Sequence, residues 1–337
     1  MDLLSLSPSN VFSVILTVAV IFVNGLTDAP NAVATCITTR CLTLKKAVAM
    51  SAILNFAGVS TMSFVNSSVT ETISTMVSFG DDEKGASVAL CAALFSIVLW
   101  AVLAWYFGIP TSESHALIAA LTGSALAINN GFDGINKNEW SKAIYGLFTS
   151  CIIGFVLGFI ICRLVLIIFK NTKRHKAEKT FKYAQIFAAG AMSFMHGAQD
   201  GQKFIGVLLL CTGAINEAIS ISPFIILLCS GVMALGTLSG GKKIIKAVGM
   251  DMVKLEKYQG FSADISASVA LLFSTVFGIP VSTTHAKTTA MMGAGAAKTK
   301  RSLNPAIIKD IILTWVLTFP CCGLIGFVMT KVFLKVL

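Results

Sequence analysis

Apolar stretches of about 20 residues recur along the whole chain, and they restrict its fold more than any other feature. A helix of that length crosses the hydrocarbon core of a bilayer. Charged residues make up only 12% of the chain, against about 25% in soluble domains, so they are too few to cover a water-facing surface. We therefore predict an all-α polytopic membrane protein. Its apolar segments run at 9–39, 47–66, 86–107, 110–129, 140–169, 183–213, 222–238, 262–279, 280–297 and 305–337.

Two sequence motifs each occur twice, and the two copies are separated by nearly the same number of residues in both cases. Residues 108–116 (GIPTSESHA) recur 170 positions later as residues 278–286 (GIPVSTTHA). The stretch 24–31 (NGLTDAPN) resembles 196–203 (HGAQDGQK), which aligns Asp28 with Asp200. Two unrelated motifs at almost the same offset indicate a tandem duplication. We predict a first membrane repeat at 1–169, a basic linker at 170–182 and a second repeat at 183–337.

The net charge of +10 is concentrated in one set of connecting segments. Three loops reverse their charge between the copies; with the linker, the basic set holds 17 cations and 3 acids, against 2 cations and 7 acids in the other. Excess Lys and Arg mark cytoplasmic loops. The copies are therefore predicted to be inverted-topology repeats in the cell membrane, with the linker cytoplasmic and both termini outside. The basic charge then needs no nucleic-acid partner.

Each copy is expected to contain a broken helix and a re-entrant helical hairpin. Polar residues interrupt the apolar segments around Asp28 and Asp200, which predicts an unwound turn at both places. Each Gly-Ile-Pro motif joins two apolar segments without a charged loop. It forms either a hairpin tip inside the membrane or a tight turn between two ordinary spans. We favour the hairpin, because a turn in water has no need of a repeated hydroxyl cluster.

A cluster of hydroxyls follows each Gly-Ile-Pro motif, where a helix is expected to begin. A helix N-terminus offers unpaired N–H groups and a partial positive charge, which favours anions. Two such ends would surround a tetrahedral oxyanion with donors; the alternative is that the hydroxyls only cap helices and join spans. The candidate anion ligands, here called the tip hydroxyls, are Thr111, Ser112, Ser114, Ser282, Thr283 and Thr284.

Two acidic residues lie in the middle of apolar segments, where an unpaired carboxylate is costly. Asp28 has Asn24, Thr27 and Asn31 nearby, an oxygen-rich set that suits sodium in a broken helix. Asp200 is the matching candidate, with Gln199 and Gln202 nearby, but Lys203 stands where the first copy has Asn31. That ammonium either replaces a cation, forms a structural salt bridge or contacts the anion.

Other polar residues in apolar segments have less defined roles. His115 and His285 follow the tip hydroxyls and are either satisfied core histidines or groups that take part in proton coupling or read the protonation state of the anion. With Lys203 and Gln199 they are candidates for anion contact or charge balance. Glu113 faces away, is protonated or binds a cation, and Asp264 and Lys287 are further charges within the membrane. The nine cysteines form no CxxC pair, so neither a disulfide framework nor a metal cluster is expected.

These residues resemble the inorganic phosphate transporter (PiT) family, whose two inverted halves carry a duplicated Gly-Ala-Asn-Asp-x-x-Asn signature and Gly-x-Pro-x-Ser-x-x-His hairpin tips. The chain departs from the signature at Thr27, Gln199 and Lys203. Lys at the last position is similar to the bacterial branch, and that similarity implies proton coupling and transport of metal-phosphate complexes. The resemblance implies phosphate held by Ser112, Ser114, Ser282, Thr283 and Thr284, a coupling cation by Asp28 and Asn31 with Asp200 in the second half, and alternating access between the halves.

The expected function is therefore import of inorganic phosphate by symport with sodium or a proton, with no enzymatic activity and no cofactor beyond a sodium ion as co-substrate. Sulfate is the alternative substrate. A channel would need a continuous polar path, and a membrane phosphatase would need a metal cluster or a catalytic acid near a water-exposed face. The expected partners are phosphate, the coupling cation and the lipid bilayer, with a homo-oligomer left open.

Overall fold

The structure is a computed structural model that describes residues 8–107, 111–212, 222–240, 245, 252–299 and 303–336. The predicted turn at 108–110 and most residues of the loops at 214–221 and 239–251 lie outside these residues. The described part forms twelve α-helices and only isolated β-bridges. They are α1 (Pro8–Thr27), α2 (Ala29–Thr38), α3 (Leu44–Val65), α4 (Ser68–Thr75), α5 (Glu83–Phe107), α6 (Glu113–Asn129), α7 (Lys137–Ile168), α8 (Arg174–Thr212), α9 (Pro223–Ser239), α10 (Lys257–Val276), α11 (Thr283–Lys298) and α12 (Pro305–Val336).

The outer helices present apolar side chains to their surroundings. Phe148, Ile168 and Leu324 are more than 60% exposed, which is unfavourable in water and favourable in lipid. Five helical stretches among the described residues are long and apolar enough to cross a bilayer. They are Val11–Thr38, Leu44–Val65, Glu83–Phe107, Lys137–Ile168 and Pro305–Val336. The all-α, multi-pass membrane architecture expected from the sequence is confirmed.

The first apolar segment is broken at Asp28, as predicted, but Asp28 keeps helical dihedral angles (φ −90°, ψ −40°), so the break is a kink and not the predicted unwound turn. Pro30 has no N–H group, so it cannot continue the helical hydrogen bonds, and Asn31 instead bonds to the carbonyl of Asp28 at 3.0 Å. The chain therefore changes from α1 to α2 at this carboxylate.

The break predicted around Asp200 is wrong, because α8 runs without interruption from Arg174 to Thr212. No proline occurs in this stretch, and Lys203 lies one turn beyond Asp200, where it pairs with the carboxylate along an intact helix. The predicted linker is also partly helical, since residues 174–182 form the first turns of α8.

Helices of the two halves correspond in length and in packing. α7 and α12 each contain 32 residues, and they start just after equivalent β-bridges, Val77–Ile135 and Val253–Leu303. α6 packs against α12, and α11 packs against α7, so each half contributes a long helix to the other. These contacts are close because Gly123 and Gly293, 170 positions apart, lie directly on backbone carbonyls of the partner helices, with no room for a Cβ atom.

Equivalent residues of the two halves also meet each other. The hydroxyls of Ser60 and Ser230 are 2.9 Å apart, and the rings of His115 and His285 lie 4.3 Å apart between centroids. Each pair is separated by 170 residues. Residues at equivalent positions of the two sequence copies are therefore direct neighbours in the helix bundle.

Candidate functional site

The first turns of α6 and α11 meet at the centre of the molecule. Ser112 Oγ donates to Ser282 Oγ at 2.8 Å, and both serines are buried. Each serine also caps its own helix, because Ser112 Oγ accepts from the N–H of His115 at 3.2 Å and Ser282 Oγ accepts from the N–H of His285 at 3.1 Å. Helix capping and close approach of the two tips therefore occur together, and two positive helix ends face one buried region.

The second tip is shaped by its glycine and proline. Gly278 has a φ of +63°, a left-handed conformation that ends α10, and its N–H bonds to the carbonyl of Thr275. A Cβ atom there would lie 2.7 Å from the side chain of Ser68. Pro280 then prevents α10 from continuing, and α11 begins at Thr283.

Asp200 is the most heavily bonded acid of the site. Its Oδ1 accepts from Lys203 Nζ at 2.6 Å, and its Oδ2 accepts from Asn24 at 3.2 Å and from Thr283 at 3.1 Å. Lys203 Nζ also donates to Ser114 Oγ at 2.6 Å and to the carbonyl of Val281 at 2.5 Å. Lys203 therefore forms a buried salt bridge, which is one of the roles considered for it, and it also contacts both tips.

His196 is a member of this cluster that sequence reasoning did not select. Its Nε2 lies 3.3 Å from Asp200 Oδ2, and its Nδ1 lies 3.1 Å from Asn55 Oδ1. The i, i+4 spacing to Asp200 on a helix was the available signal. Asn55 in α3 could not have been found, because its contact depends on helix packing between the two halves.

Asp28 has different surroundings. It is 3% exposed and forms no ion pair within the described residues. Asn24 and Asn31 lie on the same side of the kinked helix, and Asn31 Nδ2 donates to Thr284 Oγ1 at 3.2 Å. Glu113 approaches from the first tip and accepts from Thr27 at 3.3 Å.

Three oxygens beside Asp28 are buried and have no hydrogen-bond partner among the residues that the structure describes: Asn24 Oδ1, Asn31 Oδ1 and Glu113 Oε2. Unsatisfied buried acceptors are costly. Together with the carboxyl group of Asp28 they form an oxygen-rich set, which is the type of ligand set that hard cations prefer. Glu113 therefore belongs to the acidic side of the site and not to the hydroxyl cluster.

The remaining predicted residues lie around this centre. Gln199 donates to the carbonyl of Ile279 at 2.9 Å and accepts from Thr275 at 2.5 Å, so it holds the second tip in place. Thr111 is buried next to the cap Ser112. His285 stacks on Trp315 with ring centroids 3.7 Å apart and lies next to His115, behind the tips. No group of three or more metal-ligating side chains is present in the described ranges.

Comparison with known proteins identifies relatives over nearly the whole chain. The model of the Phosphate transporter family matches residues 24–326. A "Probable low-affinity inorganic phosphate transporter" of Bacillus subtilis (strain 168) is 36% identical over 316 residues, which is 93% of each chain. A protein of the same description from Rhizobium meliloti (strain 1021) is 35% identical over 90% of each chain.

A solved structure has a similar fold. It is described as "The sodium-dependent phosphate transporter", superposes with a TM-score of 0.86, and the match covers 98% of this chain and 100% of that one. The sequences are 22% identical. The resemblance stated from the motifs is confirmed by the family match.

Proposed function

Because the chain belongs to the phosphate transporter family, we propose that it is a secondary transporter that carries inorganic phosphate together with a cation. One observation supports this most: two helix N-termini with duplicated hydroxyls meet at a buried contact, Ser112–Ser282, beside two buried carboxylates. A tetrahedral anion and a cation can be bound next to each other there, and each would reduce the cost of burying the other's charge.

We place phosphate between the tips, on Thr111, Ser112, Ser114, Ser282, Thr283 and Thr284. When phosphate binds, the Ser112–Ser282 hydrogen bond can be replaced by two hydrogen bonds, because each hydroxyl can donate to a phosphate oxygen. Lys203 lies 2.6 Å from Ser114, close enough to supply one positive charge to the anion. Several neutral hydrogen bonds and one ammonium bind an anion more weakly than an Arg pair, which suits a substrate that must be released.

The coupling cation binds at Asp28, with Asn24, Asn31 and Glu113 as further ligands and Asp200 as the neighbouring charge. Sodium fits this place better than a proton does, because the free amide oxygens of Asn24 and Asn31 can coordinate sodium but do not take up a proton at neutral pH. The corresponding place in the second half already contains the ammonium of Lys203.

The two halves form inverted-topology repeats at 1–169 and 183–337, with both termini outside and 170–182 cytoplasmic. The exchange of α7 and α12 between the halves and the contacts between residues 170 apart support this arrangement. The tips are those of re-entrant hairpins, since α6 and α11 have 17 and 16 residues and start at the buried centre. Rocking of the two halves about this centre gives alternating access.

Purified protein in proteoliposomes tests the proposal. Phosphate uptake is expected to saturate, to follow an imposed sodium gradient, and to exchange internal for external phosphate. Uptake that follows only a proton gradient would contradict sodium coupling but leave the phosphate site intact. Sulfate and arsenate serve as competitors. Stronger competition by sulfate than by unlabelled phosphate would contradict the proposal that phosphate is the preferred substrate.

A further inference from the structure

α2 carries a row of polar residues that continues past the central site. Asp28, Asn31, Thr35 and Thr38 follow each other at intervals of three or four residues, so they lie on one face of the helix. The site described above uses Asp28 and Asn31 only. Thr35 is fully buried, and Thr38 lines a cavity at the far end of the helix.

Thr35 lies in a compact buried charge cluster, defined here as Thr35, Asp264 and Lys287. Asp264 in α10 and Lys287 in α11 form an ion pair with no exposed surface. Thr35 Oγ1 lies 2.8 and 2.9 Å from the two carboxylate oxygens of Asp264, and Lys287 Nζ donates to Thr35 at 3.2 Å. The cluster ties α2 to the second hairpin.

This cluster is the next layer below the central site. Asn31 contacts Thr284, and one turn further along both helices Thr35 contacts Lys287. One helical turn is about 5 Å, so the cluster closes the space between α2 and α11 directly next to the proposed phosphate site.

Packing does not require charges at this place. The equivalent positions of the first half, 170 residues earlier, are Leu94 and Leu117, and both are fully buried. A well-packed apolar pair is usually at least as stable as a buried ion pair. The second half therefore holds two charges where the first half fills the same space with two leucines.

A cavity of about 1000 Å³ lies at the other end of α2 and α11. Five cations and two acids line it, and two of the cations are paired, Arg174 with Glu178 and Lys298 with Glu256. The other three form no ion pair within the described residues: Arg40, Lys170 and Lys257. A basic cavity raises the local concentration of anions. The hydroxyl of Tyr258, which also lines the cavity, is buried without a partner.

We propose that phosphate passes between the central site and this basic cavity along the polar face of α2, and that the Thr35–Asp264–Lys287 cluster is the gate on this route. In the present structure the gate is closed. When it opens, Lys287 exchanges the carboxylate of Asp264 for the passing phosphate, and the cavity collects the anion at the end that loop charges place in the cytoplasm. The inference rests on the proposed function.

Replacing the ion pair by the leucines of the first half tests the gate. Asp264→Leu with Lys287→Leu keeps the space filled and the net charge unchanged, so the protein is expected to fold and to bind phosphate as the unmodified protein does. Phosphate exchange across the membrane is expected to fall by at least about tenfold, because an apolar plug has no partner to offer the anion. Exchange at the unmodified rate would overturn the gate.

Neutralising the cavity tests the route independently, and it does not depend on how the gate variant folds. Arg40→Ala with Lys257→Ala is expected to raise the half-saturating phosphate concentration about fivefold on the cavity side only. Lys182→Ala removes a nearby exposed cation that does not line the cavity, and it should change neither side. Equal effects on both sides, or none, would overturn the route.

Failure of this inference is distinguishable from failure of the proposed function. If the unmodified protein exchanges phosphate while both sets of variants behave as it does, the transporter stands and the gate is wrong. If the unmodified protein exchanges no phosphate, the proposed function itself has failed.

Discussion

Asp28 and Asp200 occupy matching places in the two halves but have opposite surroundings. Asp200 pairs with Lys203, lies next to His196 and accepts two further hydrogen bonds. Asp28 forms no ion pair within the described residues, and it lies beside another acid and two amide oxygens that have no hydrogen-bond partner among these residues. Asp200 therefore has a resident ammonium beside it, whereas the groups around Asp28 are oxygen ligands that a cation from solution can bind.

The helices that carry the two acids differ in shape as well. Near Asp28 the helix is kinked by Pro30, and near Asp200 it is continuous. A kinked helix exposes backbone oxygens that can help to bind an exchangeable ion, whereas a side-chain ammonium one turn away needs no such opening. The two acids at matching positions of the repeated motifs therefore differ in their partners, and this difference underlies the different roles that we propose for them.

The largest effect is expected from Asp28→Asn, which removes the charge that would hold the coupling cation. A lost buried charge contact of about 3 kcal/mol corresponds to a fall of about 100-fold in cation-driven phosphate uptake. Initial rates in proteoliposomes measure it, with circular dichroism and the amount of inserted protein as controls. A variant with unchanged, sodium-driven uptake would remove Asp28 from the cation site.

Lys203→Asn should make the two halves alike. At low sodium, phosphate uptake is expected to fall by about tenfold because Asp200 has lost its partner, and high sodium should restore part of it by binding in place of the ammonium. Lys203→Met is the matched control, since its thioether is a poor ligand for sodium. Equal rates for the two variants at every sodium concentration would contradict the equivalence of the two places.

The two tips should contribute about equally to phosphate binding. Ser112→Ala and Ser282→Ala each remove one hydroxyl of the pair, and each is expected to raise the half-saturating phosphate concentration about fivefold, as for one hydrogen bond of about 1 kcal/mol. Ser282→Ala combined with Thr284→Ala should raise the half-saturating phosphate concentration further than either tip serine variant alone. An effect confined to one tip would mean that phosphate binds to a single helix end.

The smallest effect is expected at Thr27 and Gln199, which occupy matching positions and each hold a tip through one contact. Thr27→Val and Gln199→Leu should lower the turnover rate about two- to threefold and leave the phosphate affinity nearly unchanged. Rate and affinity are measured in the same uptake experiment. A tenfold loss of affinity would make either residue a direct ligand.

Sequence reasoning was most reliable where a residue type leaves few alternatives. The polar interruption around Asp28 predicted the first break correctly, and the length of the apolar segments predicted the membrane fold. The second break was predicted from similarity to the first. The second motif, however, has Gln202 at the position of Pro30, and it carries Lys203. His196 and Asn55 entered the site through contacts between helices that lie far apart in sequence, which a local pattern does not reveal.

The cation dependence of phosphate uptake tests the difference between the two acids most directly. Initial uptake rates are measured at constant pH over a range of sodium concentrations, in proteoliposomes that contain either the unmodified protein or the Asp28→Asn variant. The account predicts a saturable dependence on sodium for the unmodified protein and none for the variant. The same sodium dependence in both proteins would contradict it, because the coupling cation would then bind somewhere other than Asp28.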